Sequence, residues 1–222
     1  MKNPFVLSVL TCLFLAMHGA VLAADLAEAK QKFSVADKAL NTQYQLLKRT
    51  LDKWSFAELQ KDQRDWLGYR DALAERAGFD DGQQETPKDS PEYWSMSAGL
   101  TNGRLAVLKG YQKLNQPAKW SGIYRDSYGG LIKIQEKNGK IHFEINVVRG
   151  PTHHIGEIDG TGVTNKTAAR FTDGGADHKE DGETWLDFEQ LDGARIRVKG
   201  INTHFYHGAR ASFDGVYVKV TK

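Results

Sequence analysis

The sequence predicts an α+β protein: an N-terminal three-helix antiparallel bundle, then a C-terminal antiparallel β-barrel or sandwich of about eight strands. Two observations predict it. Apolar residues recur every three or four positions up to Leu114 and every second position after Trp120. The dipeptides Asn138-Gly139 and Asp192-Gly193, which favour tight hairpin turns, sit between alternating runs in the second half.

The first 23 residues are expected to lie outside the fold. Lys2 supplies a positive start, Phe5 to Ala16 is an apolar run, and Val21-Leu22-Ala23 offers small residues to a signal peptidase. The pattern is that of a secretory signal peptide cleaved after Ala23, so the protein is expected to be periplasmic or secreted. The run is short for a bilayer span, and no later stretch reads as a transmembrane segment. The one cysteine, Cys12, lies inside the run behind Thr11, which disfavours lipidation. After cleavage neither a disulfide nor a cysteine–zinc site is available.

Charge excludes one class of partner. The chain has 30 basic and 28 acidic residues. They divide evenly on either side of Gln116, so neither half has the excess that a nucleic-acid binder needs.

The first helix is expected from Asp25 to Leu51, a stretch free of proline and glycine, with Phe33, Ala36, Leu40, Tyr44, Leu47 and Leu51 on one face. The second opens at Ser55, where Ser55-Phe56-Ala57-Glu58 reads as a capping box, and ends near Ala77 before Gly78. The third opens at Ser90-Pro91-Glu92, with serine as cap and proline in the first turn, and runs to about Leu114. Asn115-Gln116-Pro117 is the expected linker, giving a helical domain over 24–116 and a strand-rich domain over 117–222.

On these helices Leu40-Asn41-x-x-Tyr44, Gln63-Arg64-x-Trp66-x-x-Tyr69-Arg70-Asp71 and Thr101-x-x-Arg104 resemble the lysozyme-inhibitor LprI-type N-terminal domain, a bacterial exported helical module. The resemblance covers roughly Ala24 to Gln116. It implies a periplasmic or secreted protein, and a named activity, inhibition of lysozyme-type muramidases, that belongs to few members. It also marks a departure. The family usually carries one cysteine soon after the Arg-Asp pair and another early in the third helix. Here those positions fall at Ala74 and near Met96, so apolar packing is expected to replace the bridge.

Trp66, Tyr69, Asp71 and Arg104 read as the structural signature of this module. Trp66 and Leu73 are expected in the bundle core, with Arg70 paired to an acid and Gln63 and Arg104 as its hydrogen-bonding company. Gln63, Arg64 and Arg70 are also candidates for a partner-binding face.

In the second half, Ile132 and Ile134, then Ile141, Phe143, Ile145 and Val147, then Leu186 and Phe188, then Ile196 and Val198 alternate with polar residues. Val216, Val218 and Val220 are read as the apolar face of the last strand, against Tyr217 and Lys219. The phrases Trp120-Ser121-Gly122-Ile123-Tyr124 and Phe213-Asp214-Gly215-Val216-Tyr217 frame this half, so the first and last strands are expected to pair and close the sheet.

The six histidines after the leader, His142, His153, His154, His178, His204 and His207, are read as scattered strand and loop residues rather than metal ligands. The acidic run Asp173 to Glu183 lacks the spacing of a calcium loop. No nucleophile elbow, zinc-hydrolase motif or phosphate loop is present, so no catalytic residue, cofactor or metal is assigned. The first functional reading is an exported, non-enzymatic envelope protein that inhibits a lysozyme, with Arg149-Gly150-Pro151-Thr152 as the loop for a carboxylate-lined cleft. Arg149 and Thr152 are its candidate contacts, and a lysozyme or another envelope protein its partner. The alternative is a periplasmic structural or adaptor protein. A small-ligand carrier is a third reading, disfavoured by apolar residues that fill the barrel.

Overall fold

The computed structural model describes residues 5–77, 86–150, 154–175 and 182–220, with side chains from Asp25 onward. Three helices precede eight strands: α1 (Phe5–Thr50), α2 (Lys53–Ala74) and α3 (Pro91–Gly110), the last continued by a 3-10 turn over Tyr111–Lys113. α1 extends back to Phe5, so the apolar run and the first bundle helix are one continuous helical stretch. Among the described residues no helix is long and apolar enough to cross a membrane.

α2 starts two residues before the expected Ser55. The Asp52 carboxylate accepts hydrogen bonds from the amides of Trp54 (2.9 Å) and Ser55 (3.0 Å), directly after α1 ends. A carboxylate satisfies two of the orphan amides of the first turn and pre-empts the later serine. At the other end α2 stops at Ala74, and Gly78 lies outside the described residues. α3 opens as expected, with the Ser90 hydroxyl accepting from the Tyr93 amide at 3.3 Å.

Side-chain contacts fix the helix directions. Tyr44 meets Phe56 (5.4 Å between ring centroids) while Asp37 faces Arg70, so α1 and α2 run antiparallel. Phe33 meets Trp94 (5.0 Å) and Gln43 Nε2 donates to the Leu108 carbonyl (3.4 Å), so α3 runs parallel to α1. Leu40, Leu47, Leu59, Trp66 and Leu108 form the buried centre. Ala74, where the family pattern places a cysteine, is fully buried.

The strands are β1 (Gly122–Arg125), β2 (Gly130–Lys137), β3 (Lys140–Arg149), β4 (His154–Asn165), β5 (Ala168–Thr172), β6 (Trp185–Gln190), β7 (Arg195–Ile201) and β8 (Gly215–Lys219). They form a closed antiparallel barrel in sequence order, not a sandwich. Closure is the expected pairing of the framing phrases: Tyr124 opposes Lys219 and Arg125 opposes Val218. Between β2 and β3, Asn138 (φ 52°) and Gly139 (φ 71°) make the two-residue left-handed turn that sets Lys137 against Lys140. The interior is filled by Trp120, Tyr124, Phe143, Phe188, Phe213 and Tyr217 together with the aliphatic residues of β2, β3 and β7.

β8 reverses one expectation. Its inward residue is Tyr217, fully buried, while Val218 is buried on the outer face of the barrel. The outer face here is covered by α3. A Cβ on Gly110 would sit 2.5 Å from Val218 Cγ1 and 2.6 Å from the Lys219 carbonyl, so only glycine lets the helix approach this closely. Apolar residues on both faces of a covered strand defeat the period-2 reading.

Asp173, at the end of β5, ties three segments of the barrel rim. Its carboxylate accepts from the amides of Gly175 (2.8 Å) and Thr184 (3.0 Å) and from the Tyr206 hydroxyl (2.9 Å). Burial opposes the charge, but these bonds outweigh it and hold the carboxyl at about 2. The depressed value means this contribution is complete above the ordinary 3.8 and is lost as pH falls toward 2. Chemical denaturation across that window should show wild type losing stability, and Asp173→Asn, weaker at neutral pH, losing correspondingly less.

Candidate functional site at the helix–barrel seam

The signature residues of the helices build two connected structures. One is a stack of rings and cations through the bundle. Lys30 Nζ lies 5.8 Å from the Trp94 ring, and Trp94 meets Phe33. The Arg70 guanidinium lies 5.3 Å from Phe33 and 5.5 Å from Trp66, and Arg104 lies 5.7 Å from the same Trp66 ring. Residues of all three helices thus meet in one chain of cation–π contacts, each worth about 0.5–2 kcal/mol when desolvated. Arg70 is charge-balanced within its own helix by Asp71 (2.8 Å), with Asp37 of α1 at 4.0 Å.

The second structure is centred on Arg104, whose side chain is 1 % exposed. Its Nε donates to Gln63 Oε1 (2.8 Å), and its Nη1 donates to Asp62 Oδ2 (2.6 Å) and to the hydroxyl of Ser127 (2.5 Å). Ser127 belongs to the β1–β2 turn, so the arginine reaches from the bundle into the barrel. The next residue adds two contacts: Tyr128 donates its hydroxyl to Asp62 Oδ1 (2.9 Å), and its ring packs edge-on against Tyr69 (5.1 Å). Gln63 therefore bonds Arg104, and Arg104 in turn bonds the barrel; among the described residues neither bonds Arg70. Beside them the Thr101 hydroxyl, fully buried, has no partner among the described residues.

Behind the turn stands a second arginine. Arg149, at the end of β3, pairs with Asp126 (2.5 Å) and donates to the Tyr128 carbonyl (3.0 Å), the Tyr217 hydroxyl (3.0 Å) and the Ser212 carbonyl (3.1 Å). Arg195 of β7 pairs with Asp192 (2.7 Å) and lies 5.8 Å from the Tyr111 ring. The amide of Gly193, in the same β6–β7 turn, donates to the Leu114 carbonyl at the end of the helical part. A cleft of about 490 Å³ runs along this seam, lined by Glu58, Asp62, Arg104, Tyr128, Arg149 and Arg195 among others. All three of its arginines are ion-paired, Arg104 within the bundle and Arg149 and Arg195 within the barrel, while the Arg104–Ser127 and Tyr128–Asp62 hydrogen bonds cross between the two.

The sequence candidates sort accordingly. Trp66 and Leu73 are buried, as expected. Arg70 and Gln63 are turned into the bundle, and Tyr69 and Arg104 face the seam. Arg64 is the exposed one, on a groove of about 250 Å³ between α1 and α2 with Gln60 and Leu67. Arg149 is turned inward with its side chain 14 % exposed. Thr152, Pro151 and His153 lie outside the described residues. Among the described residues no cluster of three or more potential metal ligands occurs. Asp62, Ser127 and Tyr128, which complete the seam, were not singled out from the sequence. The sequence signal for Ser127 and Tyr128 is the turn-forming run Asp126 to Gly130, which does not say what the turn touches.

The molecule is thus a three-helix bundle joined to a closed eight-stranded barrel through the buried Arg104 and the Asp62–Tyr128 contact beside it. Its helical part is of a known type: residues 21–108 match the family described as lysozyme inhibitor LprI. The match ends before the barrel begins. No curated protein and no solved structure matches the chain.

Two outcomes follow for the seam. Removing the Arg104 head group strands Asp62, whose side chain is 35 % exposed, so Arg104→Leu should cost about 2–4 kcal/mol in urea unfolding. Arg104→Lys should recover little of this, because one ammonium does not reproduce the planar fork that spans three acceptors. The phenols add an alkaline limit. Burial, then the Asp126 charge, push Tyr69 up to about 12, and burial, then Asp62, raise Tyr128 as well. These phenols stay neutral when folded and ionise from 10 when unfolded, so the stability they contribute is intact below pH 10 and is lost as pH rises toward 12. Unfolding midpoints should fall over that window, and less steeply in Tyr69→Phe.

Proposed function

We propose that this is an exported, non-enzymatic envelope protein that inhibits a lysozyme-type muramidase. The observation that carries the reading is the match of residues 21–108 to the lysozyme inhibitor LprI family, with its signature side chains in their packed roles. The leader-like sequence before Asp25 supports export, with the chain divided into a helical domain over 24–116 and a barrel domain over 117–222. An inhibitor acts by occupying a cleft flanked by two carboxylates, which asks for a rigid body with a cationic or hydroxyl-bearing prominence. The locked seam supports the rigidity. Of the candidate contacts Arg64 is the side chain presented to solvent, whereas Gln63, Arg70 and Arg149 are engaged by internal partners.

The test is direct. Purified protein in molar excess over chicken-type, goose-type and invertebrate-type lysozymes should abolish turnover of cell-wall substrate by at least one of them. Full activity of all three would refute the reading and favour an adaptor protein with another envelope partner.

A further inference from the structure

The turn joining α1 to α2 carries a side chain that folding does not account for. Trp54 is 81 % exposed, whereas Trp66 and Trp120 are 1 % and 2 % exposed. An indole is among the largest apolar groups a chain can bury. This one makes no ring contact among the described residues; only its backbone amide is used, by the Asp52 cap. On the same turn Lys48, Arg49 and Lys53 are all exposed, and none forms an ion pair among the described residues. Lys53 takes the first position of α2, where the helix dipole disfavours a cation. From Lys48 to Trp54 there are three cations and one carboxylate, Asp52, a net of +2. That carboxylate is engaged in capping.

The tip is also well shaped for insertion. Two antiparallel helices are joined through Leu51 and Asp52 alone, so the turn forms a short, narrow tip. Helix contacts hold it from behind, including Tyr44 on Phe56. A single exposed indole on a turn that carries three cations is the make-up of an interface hot spot, and its complement is a concave apolar-walled cleft with carboxylates at its floor.

We infer that the α1–α2 tip is the element that enters the muramidase cleft, with Trp54 as the buried anchor and Lys48, Arg49 and Lys53 facing the cleft carboxylates. This rests on the inhibitor reading above and places the contact on the hairpin tip, away from the β3–β4 connection, where Arg149 is already committed to Asp126.

Inhibition titrations against the lysozyme that wild type inhibits decide it. Trp54→Ala should weaken inhibition by about thirty-fold or more, and Trp54→Phe by less. Both should keep the wild-type thermal midpoint to within about 2 °C, because the removed surface is exposed. Arg49→Glu with Lys53→Glu should weaken inhibition further and flatten its dependence on salt. Trp54 emission should shift to the blue on complex formation, a change absent in Trp54→Phe. Equal inhibition by folded Trp54→Ala and wild type overturns the inference and leaves the inhibitor reading standing. Failure of wild type to inhibit any lysozyme removes both.

Discussion

The contact between Arg104 and Asp62 is what the rest of the structure depends on. Each is already part of the bundle, since Arg104 lies over Trp66 and bonds Gln63. Each also reaches outward, Arg104 to Ser127 and Asp62 to Tyr128. One ion pair therefore neutralises a buried guanidinium inside the bundle and furnishes the docking point for the barrel. A buried pair of this kind is a poor source of net stability but a strong source of geometric definition, because every wrong arrangement leaves a charge without its partner.

That geometry explains how the helices hold together where the family pattern has a disulfide. A bridge would constrain two points. Here Trp94, Phe33, Arg70, Trp66 and Arg104 connect all three helices through ring faces and guanidinium planes. Arginine suits this role because its head group stacks flat while still donating hydrogen bonds in its own plane.

Much of the architecture was legible in the sequence, and the failures have physical causes. The change of apolar period at Trp120 announced helices before strands, and Asn138-Gly139 announced a hairpin that forms with both residues in the left-handed region. Trp66 and Leu73 were placed in the core by their spacing alone. β8 was misread because α3 covers its outer face, and a strand buried on both sides loses its alternation. The α2 cap was misplaced because Ser55 and Glu58 match a local rule that Asp52 satisfies first. Ser127 and Tyr128 carry no local pattern that records their contacts with helix residues 23 and 66 positions earlier in the chain. Arg149 reads as a loop tip in the sequence; its pairing with Asp126 and its bonds to Tyr217 and Ser212 exist only once the strands come together.

The meeting of the barrel's two ends has a further consequence. Lys219, at the end of β8, places its ammonium on the carbonyls of Lys119 (2.5 Å) and Ser121 (3.0 Å), the residues that lead into β1. Entry and exit of the chain are thus one hydrogen bond apart. A fold with that property is a cassette: it can be carried on a single attachment point without stretching its host, and it can be re-cut elsewhere in a loop and resealed across Lys119 and Lys219 with its strand order preserved. The family match likewise stops at residue 108 while the chain continues into the barrel.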